Sequence, residues 1–155
     1  MSDSPTSPLL RLLAGCRAAV REEIEAVRQD LRRRGLDGPV PAAGGVRAAG
    51  GPVGRLYDWT LPPGRYGIRV DDAVTIETER ATGLGLVVHF DARRNAIRLA
   101  SDAPLGRHPG PAELTFDPTW LLEALDERLA RIEDDPGDYH AETALRLFGA
   151  AFART

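Results

Sequence analysis

Six short segments between residues 55 and 116 alternate apolar and polar residues, and this pattern limits what the chain can fold into. They read RLYDWTL, YGIRV, AVTIETE, LGLVVHF, NAIRLAS and AELTF. Alternation with a period of two predicts half-buried β-strands. Turn signals separate the segments, and no helical segment lies between them. The sequence therefore predicts a small antiparallel β-barrel over residues 55–116, since closure would also remove exposed strand edges.

Helical patterns flank the predicted barrel on both sides. Over residues 8–34, apolar residues recur at spacings of three and four, close to a heptad pattern, and Gly35 stops the helix after a basic last turn. A second helix is predicted over residues 117–133, because Asp117 suits the cap and Pro118 the first helical position. After the break DDPGD, a further helix is predicted over residues 138–153.

The apolar residues of the two flanking helices form narrow stripes, which favour packing of one helix against another. Because one helix leads into the barrel and the other leaves it, the sequence predicts an antiparallel stalk. The expected packing residues are Leu13, Val20, Ile24 and Val27 in the first helix and Leu122, Leu125 and Leu129 in the second. The predicted fold is thus α+β, with a small antiparallel β-barrel on an antiparallel helical stalk and a further C-terminal helix.

The charges are distributed unevenly, although the net charge is only −3. Residues 9–34 carry seven arginines and four acidic residues, whereas residues 117–155 carry four arginines and nine acidic residues. Opposite charges favour pairing of the helices, but exposed ion pairs contribute only about 0–1 kcal/mol each, so apolar burial is expected to dominate. Residues 53–116 carry eight arginines and eight acidic residues. A domain built mainly to bind nucleic acid usually has a strong basic surplus, which this chain lacks.

Residues 35–54 are rich in Gly, Pro and Ala and show no periodicity, which predicts a flexible linker. Within this segment, Gly45 and Gly50 have the separation of the glycines in a phosphate-binding loop. However, Gly51 and Pro52 stand where that loop needs a lysine and a hydroxyl group. We therefore expect no ATP binding by that chemistry.

The sequence shows no motif for catalysis, metal binding or membrane insertion. One cysteine and three scattered histidines do not give the spacing of a metal site. Neither a nucleophile with its base nor a dinucleotide fingerprint is present. No apolar run approaches the roughly 18–20 residues that span a bilayer, and the first residues lack the basic start of a secretory signal. These patterns predict a cytoplasmic protein that is not an enzyme, with no catalytic residue, cofactor, metal or membrane contact.

Five arginines of the predicted barrel are candidate nucleic-acid contacts. They are Arg65, Arg69, Arg93, Arg94 and Arg98. Arg93 and Arg94 occupy a predicted hairpin tip, where small barrels commonly bind oligonucleotides. Arginine binds phosphate bidentately or stacks on a base. The alternative interpretation, of equal weight, is a solvated turn that keeps the protein soluble.

The order of five stretches resembles the amino-terminal region of bacterial superfamily 1 helicases of the up-frameshift type. These stretches are YDWTLPPG, IRVDDAVTIETE, GLVVHFDARRNAIRLASDAPLG, AELTFDPTWLLEALDERL and AETALRLFG. The resemblance covers about residues 9–149. In that family a β-barrel accessory domain on stalk helices precedes, or is inserted in, a RecA-like ATPase domain. The family's ATPase and helicase motifs are absent from this sequence, so no catalytic residue carries over.

The resemblance implies a non-catalytic accessory domain that binds nucleic acid weakly, regulates an ATPase motor, or does both. Its expected partners are a RecA-like helicase motor, in cis or in trans, and single-stranded nucleic acid. The chain would then be an excised domain or a standalone relative that has lost its motor. The alternative is a protein–protein interaction adaptor without nucleic-acid contact, whose acidic carboxy-terminal helices bind a partner. The balanced charge of the barrel favours the adaptor, whereas the hairpin arginines favour the helicase module.

Overall fold

A computed structural model describes residues 6–48 and 55–135, which form two α-helices and six β-strands. Helix α1 spans Thr6–Arg34 and helix α2 spans Trp120–Asp134. The strands are β1 (Val40–Arg47), β2 (Arg55–Thr60), β3 (Ala73–Thr78), β4 (Thr82–Asp91), β5 (Ala96–Ser101) and β6 (Gly110–Thr115). The fold is therefore α+β, as predicted. The helix predicted over residues 138–153 lies outside the described residues.

The six strands form a closed antiparallel barrel in the order β1-β2-β5-β4-β3-β6, and β6 pairs with β1. Alternate side chains of the strands point inward and fill the barrel. The most deeply buried of these side chains are Tyr57, Trp59, Ile76, Val87, Ile97, Leu99 and Leu114. The predicted small antiparallel barrel is confirmed.

The barrel begins inside the segment that was predicted to be a linker, because residues 40–47 form β1. Val40 and Ala42 are buried, and β1 pairs with both β2 and β6, so it closes the barrel. The register of β1 shifts at Gly44–Gly45 against both neighbours, which is a β-bulge. Small residues and this bulge hide the alternation that would otherwise identify a strand.

A tryptophan explains why β1 needs a glycine at the bulge. Trp59 of β2 donates a hydrogen bond from Nε1 to the carbonyl oxygen of Gly110 in β6, at 3.0 Å. This bond crosses β1 at Gly45. A Cβ atom at Gly45 would overlap the indole nitrogen and would lie 2.5 Å from the Gly110 oxygen. Gly45 therefore lets the backbone of β1 pass beneath the tryptophan ring.

The segment YGIRV, predicted to be a strand, is part of an irregular connection between β2 and β3. Its backbone bonds to the end of α1 instead of to a strand. The N–H of Gly67 donates to the carbonyl oxygen of Arg34 at 2.9 Å, and Arg34 Nε donates to the Gly67 oxygen at 2.8 Å. Arg34 also pairs with Asp72. These bonds take the place of a strand pairing.

Helix α1 ends at a cap that the sequence predicts. Gly35 has a φ of 70°, a conformation that favours glycine, and its N–H donates to the Arg32 carbonyl at 3.1 Å. The N–H of Leu36 donates to the Leu31 carbonyl at 2.9 Å, which completes a Schellman motif. Leu31 and Leu36 are both part of the barrel core, and Val27 packs against it. Val27, expected in the stalk, therefore lies with the barrel.

The remainder of α1 and the second helix belong to a separate compact unit, in which residues 6–26 group with residues 119–135. Arg17 Nε of α1 donates to Asp126 Oδ1 of α2 at 2.9 Å and also pairs with Glu133. Arg21 Nε donates to Asp126 Oδ2 at 3.2 Å. Charge complementarity between the two helices is thus realised as specific ion pairs.

The half-buried face of α2 differs from the predicted stripe. Leu122, Asp126, Leu129 and Glu133 are half-buried at helical spacing, whereas Leu125 is 45% exposed. In α1, Leu13 and Ile24 are buried and Val20 is half-buried. The side of α2 that packs against α1 includes Asp126 and Glu133, because their carboxylates bind arginines of α1. Leu125 lies on another side of the helix and is therefore exposed.

Gly45→Ala is expected to destabilise the barrel by about 1–3 kcal/mol, because the new methyl group would displace Trp59 or β6. Gly38→Ala is the matched control, since a Cβ at Gly38 meets nothing within 4 Å. Thermal unfolding followed by tryptophan fluorescence checks this prediction. Equal melting temperatures for the two variants would contradict this explanation of barrel closure.

Acid is expected to weaken the helical unit through Asp126. Hydrogen bonding from Arg17 lowers the pKa of Asp126 below its ordinary value. Because the folded pKa is the lower one, the stabilisation is present above the unfolded pKa of about 3.9 and is lost as pH falls through the folded pKa. Asp126→Asn should remove this part of the pH dependence, whereas Glu127→Gln, at an exposed position of α2, should keep it. Helix melting by circular dichroism between pH 7 and pH 2 is the measurement, and identical profiles for wild type and Asp126→Asn would contradict the prediction.

Candidate functional site

Strand β4 presents three large aliphatic side chains to solvent. Leu84, Leu86 and Val88 are 45%, 48% and 43% exposed, respectively, while Gly83, Gly85 and Val87 occupy the buried positions that alternate with them. We call these three aliphatic residues the apolar face. A strand with one buried face normally turns its leucines inward, so this strand has the reverse of the usual arrangement.

The interior of the barrel forces this register. A Cβ atom at Gly83 would lie 2.8 Å from Ser101 Oγ, and one at Gly85 would lie 2.9 Å from Ile76 Cδ1. The space that side chains on β4 would need is therefore already filled by neighbouring strands. Because side chains alternate with a period of two, burying the glycines places Leu84 and Leu86 outside.

Aliphatic side chains of the neighbouring strands lie beside the apolar face of β4. Leu86 lies directly opposite Ala73 of β3 and Ala100 of β5, and Ala100 lies opposite Leu56 of β2. The two alanines are small, so the Leu86 side chain projects beyond its immediate neighbours. Val70, in the connection that leads into β3, is 60% exposed. Leu56, Ala100, Leu86 and Ala73 thus form an aliphatic strip across the paired strands β2, β5, β4 and β3.

A β-bulge joins this strip to a row of polar residues. The register between β4 and β5 shifts between Val87 and His89, and Val88 and His89 are both exposed. His89 lies opposite Arg98 of β5, which in turn lies opposite Asp58 of β2. The bulge therefore places an aliphatic and an imidazole side chain side by side on the outer surface.

The polar row lies in an open groove of about 470 Å³, which we call the polar groove. It is lined by Gly44, Val46, Asp58, Trp59, Thr60, His89, Asp91, Arg94, Ala96, Ile97 and Arg98. Strands β2 and β5 contribute most of the lining. The bulge of β1 borders it at Gly44, and the turn after β4 adds Arg94. The β1 bulge, at Gly44, and the β4 bulge, at His89, thus border the same groove.

The five arginines predicted as nucleic-acid contacts do not form one cluster. Arg94 and Arg98 line the polar groove, and Arg93 is exposed on the same turn as Arg94. Arg65 and Arg69 are exposed on the connection between β2 and β3 and do not line the groove. The N–H of Arg69 donates to Asp72 Oδ2 at 2.8 Å. The structure thus brings together the three arginines of the β4–β5 hairpin and separates the other two from them.

Arg98 is occupied by a neighbouring carboxylate. Its Nε and Nη2 donate to Asp58 Oδ1 and Oδ2 at 2.7 and 2.8 Å, a bidentate pair. These hydrogen bonds to Asp58 raise the pKa of Arg98 above its ordinary value. Arg94 is different, because its side chain is 84% exposed and its Nε lies 3.9 Å from Asp91. Arg94 is therefore the cation of the groove that is more accessible to a ligand.

Sequence reasoning missed the apolar face, although a signal for it exists. In GLGLVV the glycines alternate with the aliphatic residues, so either set could face the core. Hydrophobicity alone would place the leucines in the core of the barrel. Only the neighbours of Gly83 and Gly85 decide otherwise, and those contacts with β3 and β5 arise only when the strands pair and the barrel fills.

Over residues 6–48 and 55–135, no group of three or more His, Cys, Asp or Glu side chains could hold a metal ion. No helix in the described part of the chain is long and apolar enough to cross a membrane. Comparison with known protein families, with curated proteins and with solved structures found no match. The resemblance to up-frameshift-type helicases therefore stays a prediction.

Proposed function

We propose that this chain is a non-enzymatic protein-interaction adaptor that binds its partner through the apolar face of β4. The observation that carries this proposal is the inverted strand, with Gly83 and Gly85 buried and Leu84 and Leu86 exposed. Adjacent aliphatic side chains held at the surface are typical of interaction sites. The sequence predicted that an adaptor would bind its partner through the acidic carboxy-terminal helices. We now assign the docking surface to the barrel instead.

Rigidity of the strand supports this assignment. Strand β4 is paired on both sides, to β3 and to β5, within a closed barrel. Its outer side chains are consequently held in fixed positions, so a partner that binds them orders little of the protein. A central aliphatic anchor with polar groups at its margin is the usual arrangement of an interface.

Leu86→Asp is expected to abolish binding without unfolding the barrel. The test selects a phage-displayed library of random twelve-residue peptides against the full chain and measures the affinities of the selected peptides. Leu86→Asp should weaken them at least tenfold, because the variant places a charge at the centre of the contact. Its melting temperature should change little, since the Leu86 side chain is half-exposed.

Arg65→Asp is the matched control, at an exposed position outside β4 on the connection between β2 and β3. It should leave the peptide affinity unchanged. Selected peptides that bind wild type and Leu86→Asp equally would refute the assignment of the binding surface to the apolar face.

The helicase accessory function is the second candidate, and one observation favours it. Arg93 and Arg94 are exposed on the turn between β4 and β5, beside the polar groove. As an accessory domain, the chain would contact single-stranded nucleic acid there and would partner a RecA-like motor. In this version, the ion-paired helices α1 and α2 would serve as the antiparallel stalk. The balanced charge of the barrel and the Asp58–Arg98 pair weigh against strong binding of phosphate.

Replacing both Arg93 and Arg94 by Ala separates the two candidates. If the turn binds nucleic acid, the double variant should bind a labelled single-stranded oligonucleotide more weakly and with a flatter dependence on salt. Fluorescence anisotropy across a salt series is the measurement. Absence of wild-type binding at low salt would eliminate this second candidate and leave the adaptor.

A further inference from the structure

We infer that the partner carries acidic residues beside its aliphatic anchor and that the polar groove binds them. This inference rests on the proposed function, because it specifies the kind of protein segment that the apolar face accepts. It assigns a role to the β4 bulge, to the turn between β4 and β5, and to the accessible guanidinium of Arg94.

The geometry joins the two surfaces in one line. Alternate residues of β5 are paired across the sheet with residues of β4. The pairs are Ala100 with Leu86, Arg98 with His89 and Ala96 with Asp91. Four residues of a strand span about 13 Å. A bound segment whose aliphatic side chain contacts Leu86 therefore reaches the groove within about 13 Å. The bulge keeps this path continuous, because Val88 and His89 are exposed side by side.

Arg94 and Arg98 balance Asp58 and Asp91 in the lining of the groove, but both carboxylates already accept hydrogen bonds. Asp58 uses both oxygens to accept hydrogen bonds from Arg98. Asp91 Oδ1 accepts the backbone N–H groups of Arg93 and Arg94 at 2.9 and 3.3 Å. Arg94 Nε lies 3.9 Å from Asp91 Oδ2, but the Arg94 side chain is 84% exposed and its guanidinium is accessible. A ligand that enters from the apolar face thus meets an accessible cation.

A protein carboxylate fits this combination better than a nucleic-acid phosphate does. The apolar face of Leu84, Leu86 and Val88 needs apolar side chains opposite it, and a sugar–phosphate backbone has none. Arginine forms planar bidentate pairs with carboxylates and with phosphates alike, so the apolar face decides between the two ligands. The occupant to which the two surfaces point is therefore an aliphatic segment with aspartate or glutamate at one end.

The test uses the same random twelve-residue peptides displayed on phage and selected against the full chain. The selected sequences should be enriched in aspartate and glutamate next to aliphatic residues. A synthetic copy of a selected peptide, with each acid changed to its amide, should bind at least tenfold more weakly. Arg94→Glu should weaken the acidic peptide by a similar factor, whereas Arg65→Glu, the same change outside the groove, should not.

The outcomes distinguish this inference from the function on which it rests. Peptides that require Leu86 but show no preference for acids, or that bind Arg94→Glu as well as wild type, would overturn the inference and leave the adaptor intact. Loss of the Leu86 dependence would remove both. Oligonucleotide binding that depends on Arg94, without any such dependence for peptides, would show that the groove binds phosphate and would also overturn the inference.

Discussion

The hydrogen bond from Trp59 Nε1 to the Gly110 carbonyl oxygen connects β2 to β6 across the bulge of β1, at the point where β1 closes the barrel. The tryptophan ring is buried against this crossing, so its N–H needs an acceptor inside the protein. Because Gly45 has no side chain, it leaves space for the indole N–H and for the Gly110 oxygen that accepts its hydrogen bond. Once β1 is held between β2 and β6, no strand of the barrel has a free edge, and the outer side chains of β4 and β5 take fixed positions.

Closure also explains why the proposed binding surface lies on β4. Inside the barrel, Ile76 and Ser101 occupy the volume next to β4, so only glycine fits at positions 83 and 85. The leucines that alternate with these glycines must then be outside. One packing constraint therefore produces the apolar face, and the bulge at Val88 carries it to the groove that contains His89, Arg94 and Arg98. The described surface of the barrel combines an aliphatic anchor with an adjacent charged margin, as protein interfaces commonly do.

Sequence patterns identified features that local chemistry determines. The cap at Gly35 and all five strands that follow β1 have clear periodicity or turn residues, and the structure places them as expected. Features that depend on contacts between distant residues could not be read in this way. Strand β1 is stabilised by partners about 15 and 70 residues away, and residues 66–70 bond to the end of α1 rather than to a strand. The exposure of Leu125 likewise follows from Arg17, which lies 109 residues before Asp126. Of the candidate site, the hairpin arginines were identified from their turn, whereas the apolar face was not, because its orientation is set by neighbours of the glycines.

The central claim is that the outer face of β4 is the binding surface of this protein. Nuclear magnetic resonance of methyl-labelled leucine and valine tests it directly, because the methyl groups of Leu84, Leu86 and Val88 are exposed and those of Leu99 and Leu114 are buried. On addition of a selected peptide, we expect the signals of the three exposed residues to shift and those of the two buried residues to stay unchanged. Shifts confined to Leu121 and Leu125, the exposed leucines of α2, would contradict the account and place the interface on the helices.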